Sequence, residues 1–266
     1  MVNSISRLRA TLSIAAAACT LAVLLPPLGE VAGRYAYAEA LQFVVLAAAG
    51  PALLVLGAPW RALAGRRRDD TGLADRFARS RSHRAGGLWS WAALGAFMLA
   101  VFLWRLPVAV DALARHQVLV LLELATLFPA GCFLWLELVA SPPMLPRIGR
   151  PLRAMFAAVS MWTIWALAYI MGFSQAGWAA VYVHHGGHAL SAAADQQIAT
   201  GILWAVPAFC YVPVIYTSLI TWLGDSSDPD AELEAVSTLA GQGARVSPRP
   251  PRGWRTSSTR SGKQVS

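Results

Sequence analysis

The chain has 266 residues, of which 56% are hydrophobic and only 14% charged, and its formal net charge is +8. A mean hydropathy of +0.50, with the charges crowded into a few stretches, excludes an ordinary water-soluble domain and points to a polytopic membrane protein. The basic excess could suggest nucleic acid, but no nucleic-acid motif accompanies it; the arginines lie between apolar segments, where they set topology and meet anionic membrane lipid.

Crossing a hydrocarbon layer of roughly 30 Å takes about 20 apolar residues as helix. Six segments qualify, near 11–29, 37–58, 88–104, 118–140, 154–173 and 197–223. They are continuous Ala/Leu/Val/Trp runs, not the alternating strands of about ten residues that build a barrel, so the expected fold class is an all-α transmembrane helix bundle. Arg7 and Arg9 before the first run, and Ala36-Tyr37-Ala38 after it, loosely resemble a signal peptide with its cleavage site. That apolar run, about 18 residues, is longer than most signal cores, and Pro26-Pro27 closes it as a helix; the expectation is an uncleaved first span.

Glu39 stands at the start of the second span. Residues 60–87 then form an Arg-rich loop, Arg66-Arg67-Arg68 against Asp69-Asp70, read as a solvated topological anchor with a short surface helix near 73–82. Arg105, Asp111, Arg115 and His116 crowd the short loop after the third span. Glu123 lies about one turn into the fourth span and Glu137 near its other end. Ionisable groups in hydrocarbon are costly, so each needs a partner or a function. Glu123 is expected to pair with Arg105 or Arg115, or to serve a ligand or proton relay; Glu137 is expected to snorkel or to pair with Arg147 or Arg150.

The loop 174–196 has no Lys or Arg but carries His184, His185 and His188, a possible copper or zinc ligand set, although Gly186-Gly187 argues against a helical arrangement. Asp195-Gln196-Gln197 follows at the mouth of the last span, with Gly201 and Trp204 beyond. By residue type Asp195 reads as the N-cap of that helix, and the run as a polar site. From Gly224 the composition turns acidic and then Pro/Arg/Ser/Gly-rich to Ser266. Residues 224–266 are expected to form a disordered cytoplasmic tail behind a bundle of residues 1–223.

Cytoplasmic loops retain positive charge. A cytoplasmic N-terminus places Arg7, Arg9, the eight arginines of 60–87, Arg147, Arg150, Arg153 and the six basic tail residues inside. Of the 22 basic residues this leaves outside only Arg34, Arg105 and Arg115. An N-in, C-in bundle in a bacterial-type plasma membrane is the expectation, with Glu39, Glu123 and Asp195 near its outer face. Cys19, Cys132 and Cys210 have no ligand or disulfide spacing and read as small core residues. No nucleotide loop, nucleophile elbow, haem motif or zinc-protease motif is present, and no enzymatic activity is expected.

The order of several short pieces across about 37–223 resembles the polytopic CtaG-like cytochrome c oxidase assembly factors. They are Pro51-x-Leu53-Leu54-Val55-Leu56-Gly57-Ala58-Pro59, then Trp104-Arg105-Leu106-Pro107 with Asp111-Ala112-Leu113. Glu123, Gly131 and Trp135 follow, then Asp195-Gln196-Gln197, Gly201 and Trp204. The resemblance implies a non-enzymatic oxidase maturation factor tied to copper, with an oxidase subunit or a copper donor as partner. The family pattern carries histidines where this chain has Glu39, Phe43, Arg105, Val120 and Leu124; Phe, Arg, Val and Leu cannot replace imidazole on copper. The expected site is an outer polar cleft lined by Glu39, Glu123, Asp195, Gln196 and Gln197 with Trp204 packed beneath, engaged by copper or by an oxidase subunit. His184, His185 and His188 form an independent copper candidate. The alternative is a non-metal membrane interaction protein of the same fold that has lost copper handling. A solute carrier is disfavoured, because the acidic residues gather near one face.

Overall fold

The computed structural model describes residues 2–61, 78, 80, 86–116, 118–174, 178–183 and 190–226. Most of the Arg-rich loop, His184, His185, His188 and the tail beyond Ser226 lie outside the described residues. The chain divides into a unit of residues 1–222, which holds the helix bundle, and a second of 223–266.

In chain order the helices are α1 Val2–Leu24, α2 Leu28–Ala32, α3 Ala36–Val44, α4 Gly50–Gly57, α5 Gly86–Arg105, α6 Pro107–Arg115, α7 Val118–Leu138, α8 Arg150–Phe173, α9 Ala180–Val183 and α10 Ala192–Ser226. Six helical stretches are long and apolar enough to cross a membrane: Ser6–Leu24, Ala36–Gly57, Gly87–Arg105, Val118–Leu138, Arg150–Phe173 and Ala192–Gly224. The fold is all-α. The first span ends at Leu24, earlier than the sequence suggested, because two successive prolines lack the N–H groups that would continue it.

One wide turn, Val45–Ala49, joins α3 to α4 into a single span. Pro51 causes it: a proline cannot donate to the carbonyl four residues back, and its ring crowds that carbonyl, so the helix widens and Gly50 N–H donates to Val45 five residues back. The carbonyl to which Pro51 cannot donate, that of Ala47, faces Gly131 of α7. A Cβ added at Gly131 would stand 2.6 Å from it and 2.8 Å from Pro51 Cγ. Gly50 and Gly57 admit α1 in the same way, since a Cβ there would meet Thr20 Oγ1 at 2.9 Å and the Ser13 backbone nitrogen at 2.7 Å. Lipid offers no hydrophobic drive between helices, so close approach of small residues is what holds such spans together.

Each end of the bundle is tied by polar bonds. At one end Ser141 Oγ donates to Val55 O (2.5 Å) and Trp60 Nε1 to Pro142 O (3.2 Å), fastening the 139–149 loop under α4. Glu137 is fully buried there. Ser90 Oγ donates to its Oε2 (3.0 Å), Arg147 Nε to its Oε1 (3.0 Å), and the Arg147 backbone N–H to Oε2 (3.3 Å). Glu137 therefore pairs with Arg147 and does not snorkel. The opposite end, where α2, α6 and α9 gather, carries the candidate site.

Candidate functional site at the Glu39 end

Backbone groups at helix termini need partners, and the acidic and amide side chains at this end supply them. Asp195 is the clearest case. Residue type predicts that it caps its own helix, but that helix begins at Ala192, with Ser191 Oγ accepting from Ala194 N–H (3.2 Å). Asp195 sits inside the first turn, and its carboxylate accepts from Ala36 N–H (2.8 Å) and Tyr37 N–H (2.9 Å) at the start of α3. Tyr35, at the cap position of α3, makes no side-chain cap of its own. Asp195 thus supplies from another span the acceptor that α3 lacks, and its negative charge meets the positive end of that helix.

Gln196 does the complementary work. Its Nε2 donates to Met171 O (2.7 Å) and Ser174 O (2.9 Å) at the C-terminus of α8, and its Oε1 accepts from Trp178 N–H (3.0 Å). Two adjacent side chains of α10 therefore close the N-terminus of one neighbour and the C-terminus of another. The segment 178–183 is then laid across the end of the bundle. Trp178 Nε1 donates to Arg105 O (3.0 Å), Val181 N–H to Asp111 Oδ1 (2.9 Å) and Tyr182 OH to Ala32 O (2.9 Å). Burial pushes the Tyr182 phenol well above its ordinary value, and the Glu39 carboxylate adds to this, which favours the protonated donor.

Beneath this segment lies a buried ion pair. Arg105 is 2% exposed; its Nη1 donates to both Glu39 oxygens at 2.8 Å, its guanidinium carbon lies 4.7 Å from the centre of the Phe43 ring, and Nη2 approaches Met171 Sδ at 3.9 Å. The sequence offered Glu123 as the partner of Arg105 or Arg115, or as a ligand or relay group; Arg105 pairs instead with Glu39, because the guanidinium, at the last residue of α5, meets the first turn of α3. Above the pair opens a cavity of about 410 Å³ lined by Glu39, Arg105, Met171, Trp178, Gln196 and Gln197, among others.

Of the residues singled out in the sequence, Glu39, Gln196 and Gln197 line this cleft. Asp195 lies just behind it as the α3 cap. Glu123 lines a separate small cavity with Glu39 and Tyr182. Trp204 is further down α10, its ring stacked on Trp165 at 4.5 Å and its carbonyl accepting from Trp165 Nε1 (2.9 Å). Sequence reasoning missed Trp178, Tyr182 and Met171 as parts of the site. The loop that carries the first two has few charges, and a Trp near a span end reads as a headgroup anchor.

The described residues contain no group of three His, Cys, Asp or Glu side chains placed to hold a metal ion. Among the described residues of the cleft the one carboxylate is engaged by a guanidinium, and the remaining side-chain donors are amides, the Ser174 and Tyr182 hydroxyls and a thioether beside that cation. This donor set does not fit copper.

Residues 3–225 match the family model described as cytochrome c oxidase caa3 assembly factor (Caa3_CtaG). The chain belongs to that family and is a multi-pass membrane protein. Comparison with curated proteins and with solved structures finds no match.

Proposed function

We propose, with membership of the caa3 assembly factor family as the premise, that the chain is a non-catalytic maturation factor whose cleft at the Glu39 end receives a segment of a cytochrome c oxidase subunit. The cleft carries this reading. Its floor is a neutralised ion pair, its walls are capped helix ends, and its mouth presents Gln197, an exposed amide. An uncharged polar mouth over an apolar wall suits an extended peptide or the end of a helix better than a charged solute. The arginine distribution supports an N-in, C-in arrangement in a bacterial-type plasma membrane with this end outward, the face from which an oxidase subunit would engage.

Copper has no place in the step proposed for the cleft, because the donors there do not suit it. The reading is therefore nearer to the interaction protein that has lost copper handling. His184, His185 and His188 remain the residues through which the chain would bind copper or meet a copper donor. Replacing all three with Ala and measuring copper per chain after loading with Cu(I) tests that separately: about one ion lost with the triple variant assigns copper to them, and no copper in either chain rejects it.

The docking reading is tested by Gln197→Trp, which fills the mouth from an exposed position. Oxidase subunits should co-purify with the wild type and not with the variant, and oxidase activity of the membranes should fall, while the melting temperature stays the same. Equal co-purification by both chains would overturn the assignment.

A further inference from the structure

Behind the cleft lies a second cavity, of about 40 Å³, lined by Gly33, Glu39, Gln42, Val120, Glu123 and Tyr182, among others. Glu39 and Tyr182 line both cavities and so form the wall between them. Glu123 is 2% exposed, and its Oε1 has no hydrogen-bond partner among the described residues. The other buried carboxylates among those residues are satisfied: Glu39 by Arg105, Glu137 by Ser90 and Arg147, Asp195 by two N–H groups of α3.

The charges around Glu123 do not balance. Among the described residues the cation acting on it is Arg105 of α5, and that guanidinium is committed to both oxygens of Glu39 on α3. From α9 comes the Tyr182 phenol, neutral and donating to Ala32 O. The cavity walls from α2 and α6 are Gly29, Ala32, Gly33, Leu113 and Ala114, with no charged side chain. One guanidinium thus serves two buried carboxylates, and an uncompensated buried carboxylate is strongly unfavourable. The side-chain donors facing the cavity are oxygens with one amide nitrogen, which select hard ligands over soft metals. A water-sized occupant needs about 10–15 Å³ of such space, so the cavity admits a small ion or a water or two.

We propose that this cavity is a binding site for one hard monovalent cation, a proton or an alkali ion, held on the free oxygen of Glu123. The site stands independently of the docking reading. A proton would make Glu123 a neutral acid donating into the cavity; an alkali ion would be shared between Glu123 and the Gln42 amide oxygen. Either brings the Glu39–Arg105–Glu123 group to neutrality.

The test compares thermal unfolding of the purified full chain with that of Glu123→Gln. Two series are needed: pH at constant salt, and sodium or potassium replacing choline at constant ionic strength. Gln mimics the neutral acid, so the variant should fold. If the cation is a proton, the wild type loses stability relative to the variant as pH rises, by up to about tenfold in the folding constant per pH unit. If it is an alkali ion, rising sodium or potassium stabilises the wild type alone, approaching about tenfold per tenfold increase in ion. A difference between the two chains that is constant across both series would overturn the proposal. Should the variant fail to fold, the wild type alone decides. A protonated-carboxyl infrared stretch at neutral pH, or retention of radiolabelled sodium or potassium in dialysis, supports the site; absence of both rejects it.

Discussion

The two ends of the bundle each bury a carboxylate against an arginine, and the two pairs are used differently. At the Glu137 end both carboxylate oxygens are engaged, by Ser90, by the Arg147 guanidinium and by the Arg147 backbone, and the pair closes a loop. At the Glu39 end one cation serves two acids, a cleft of about 410 Å³ opens over it, and among the described residues a second carboxylate keeps a free oxygen. The same chemistry therefore makes a lock where the buried oxygens are satisfied, and a site where one is not. Buried polar groups in native proteins are normally satisfied, so the exceptions point to function.

The largest effect should come from breaking the lock. Arg147→Ala leaves Glu137 buried without its cation and is expected to cost about 3–5 kcal/mol, read from denaturant unfolding of the detergent-solubilised chain. The corresponding change at the other end, Arg105→Ala, should cost less, roughly 2–3 kcal/mol, because water entering the cleft can solvate Glu39 and Glu123 can be neutralised by the cation proposed for it. Equal losses at the two ends would break the distinction drawn between them.

Gly131→Ala should follow at about 1–3 kcal/mol of overpacking, since its methyl would press on the Ala47 carbonyl, a backbone atom that cannot swing away. This contact also shows where sequence reading stops. Pro51 and Gly131 both belong to the pattern that carries the family resemblance, but nothing in the sequence says that they touch. The Ala47 carbonyl beside the proline and the missing side chain of the glycine complete one another only after α4 and α7 have packed.

The spans themselves were legible because hydrocarbon admits little but continuous apolar helix. Polar residues within or beside them were legible for the same reason: Glu39, Glu123, Glu137, Asp195 and Gln196 all stand out by cost. Their partners were not. Arg105 finds Glu39 across 66 residues, and Asp195 finds the start of α3 across 159. Such pairings depend on how each helix is rotated about its axis, which weakly amphipathic, nearly uniform apolar sequences do not encode in their periodicity. Residue type announced a cap at Asp195, and only the packing of α10 beside α3 says whose helix is capped. Asp195→Ala should accordingly destabilise by about 1–2 kcal/mol, with faster amide exchange at Ala36 and Tyr37 on another span. Exchange that rises first at the start of α10 would restore the local reading.

The smallest effect on stability, and the sharpest contrast, belongs to two neighbours. Gln196 and Gln197 are identical in chemistry and adjacent in sequence, yet Gln196 satisfies three backbone groups while Gln197 faces the open cleft. Gln196→Ala should cost about 1–3 kcal/mol, because it strands the Ser174 carbonyl and the N–H of Trp178 and leaves Met171 O only the Ser174 N–H. Gln197→Ala should change stability by less than about 0.5 kcal/mol, as exposed substitutions do. If the cleft is where a subunit docks, only the second variant will weaken capture of oxidase subunits with no loss of folded protein. Should Gln197→Ala capture as well as the wild type, while Gln196→Ala fails only in proportion to its lost stability, both glutamines would belong to the scaffold. The functional end would then differ from the locked end only by its unsatisfied acid at Glu123.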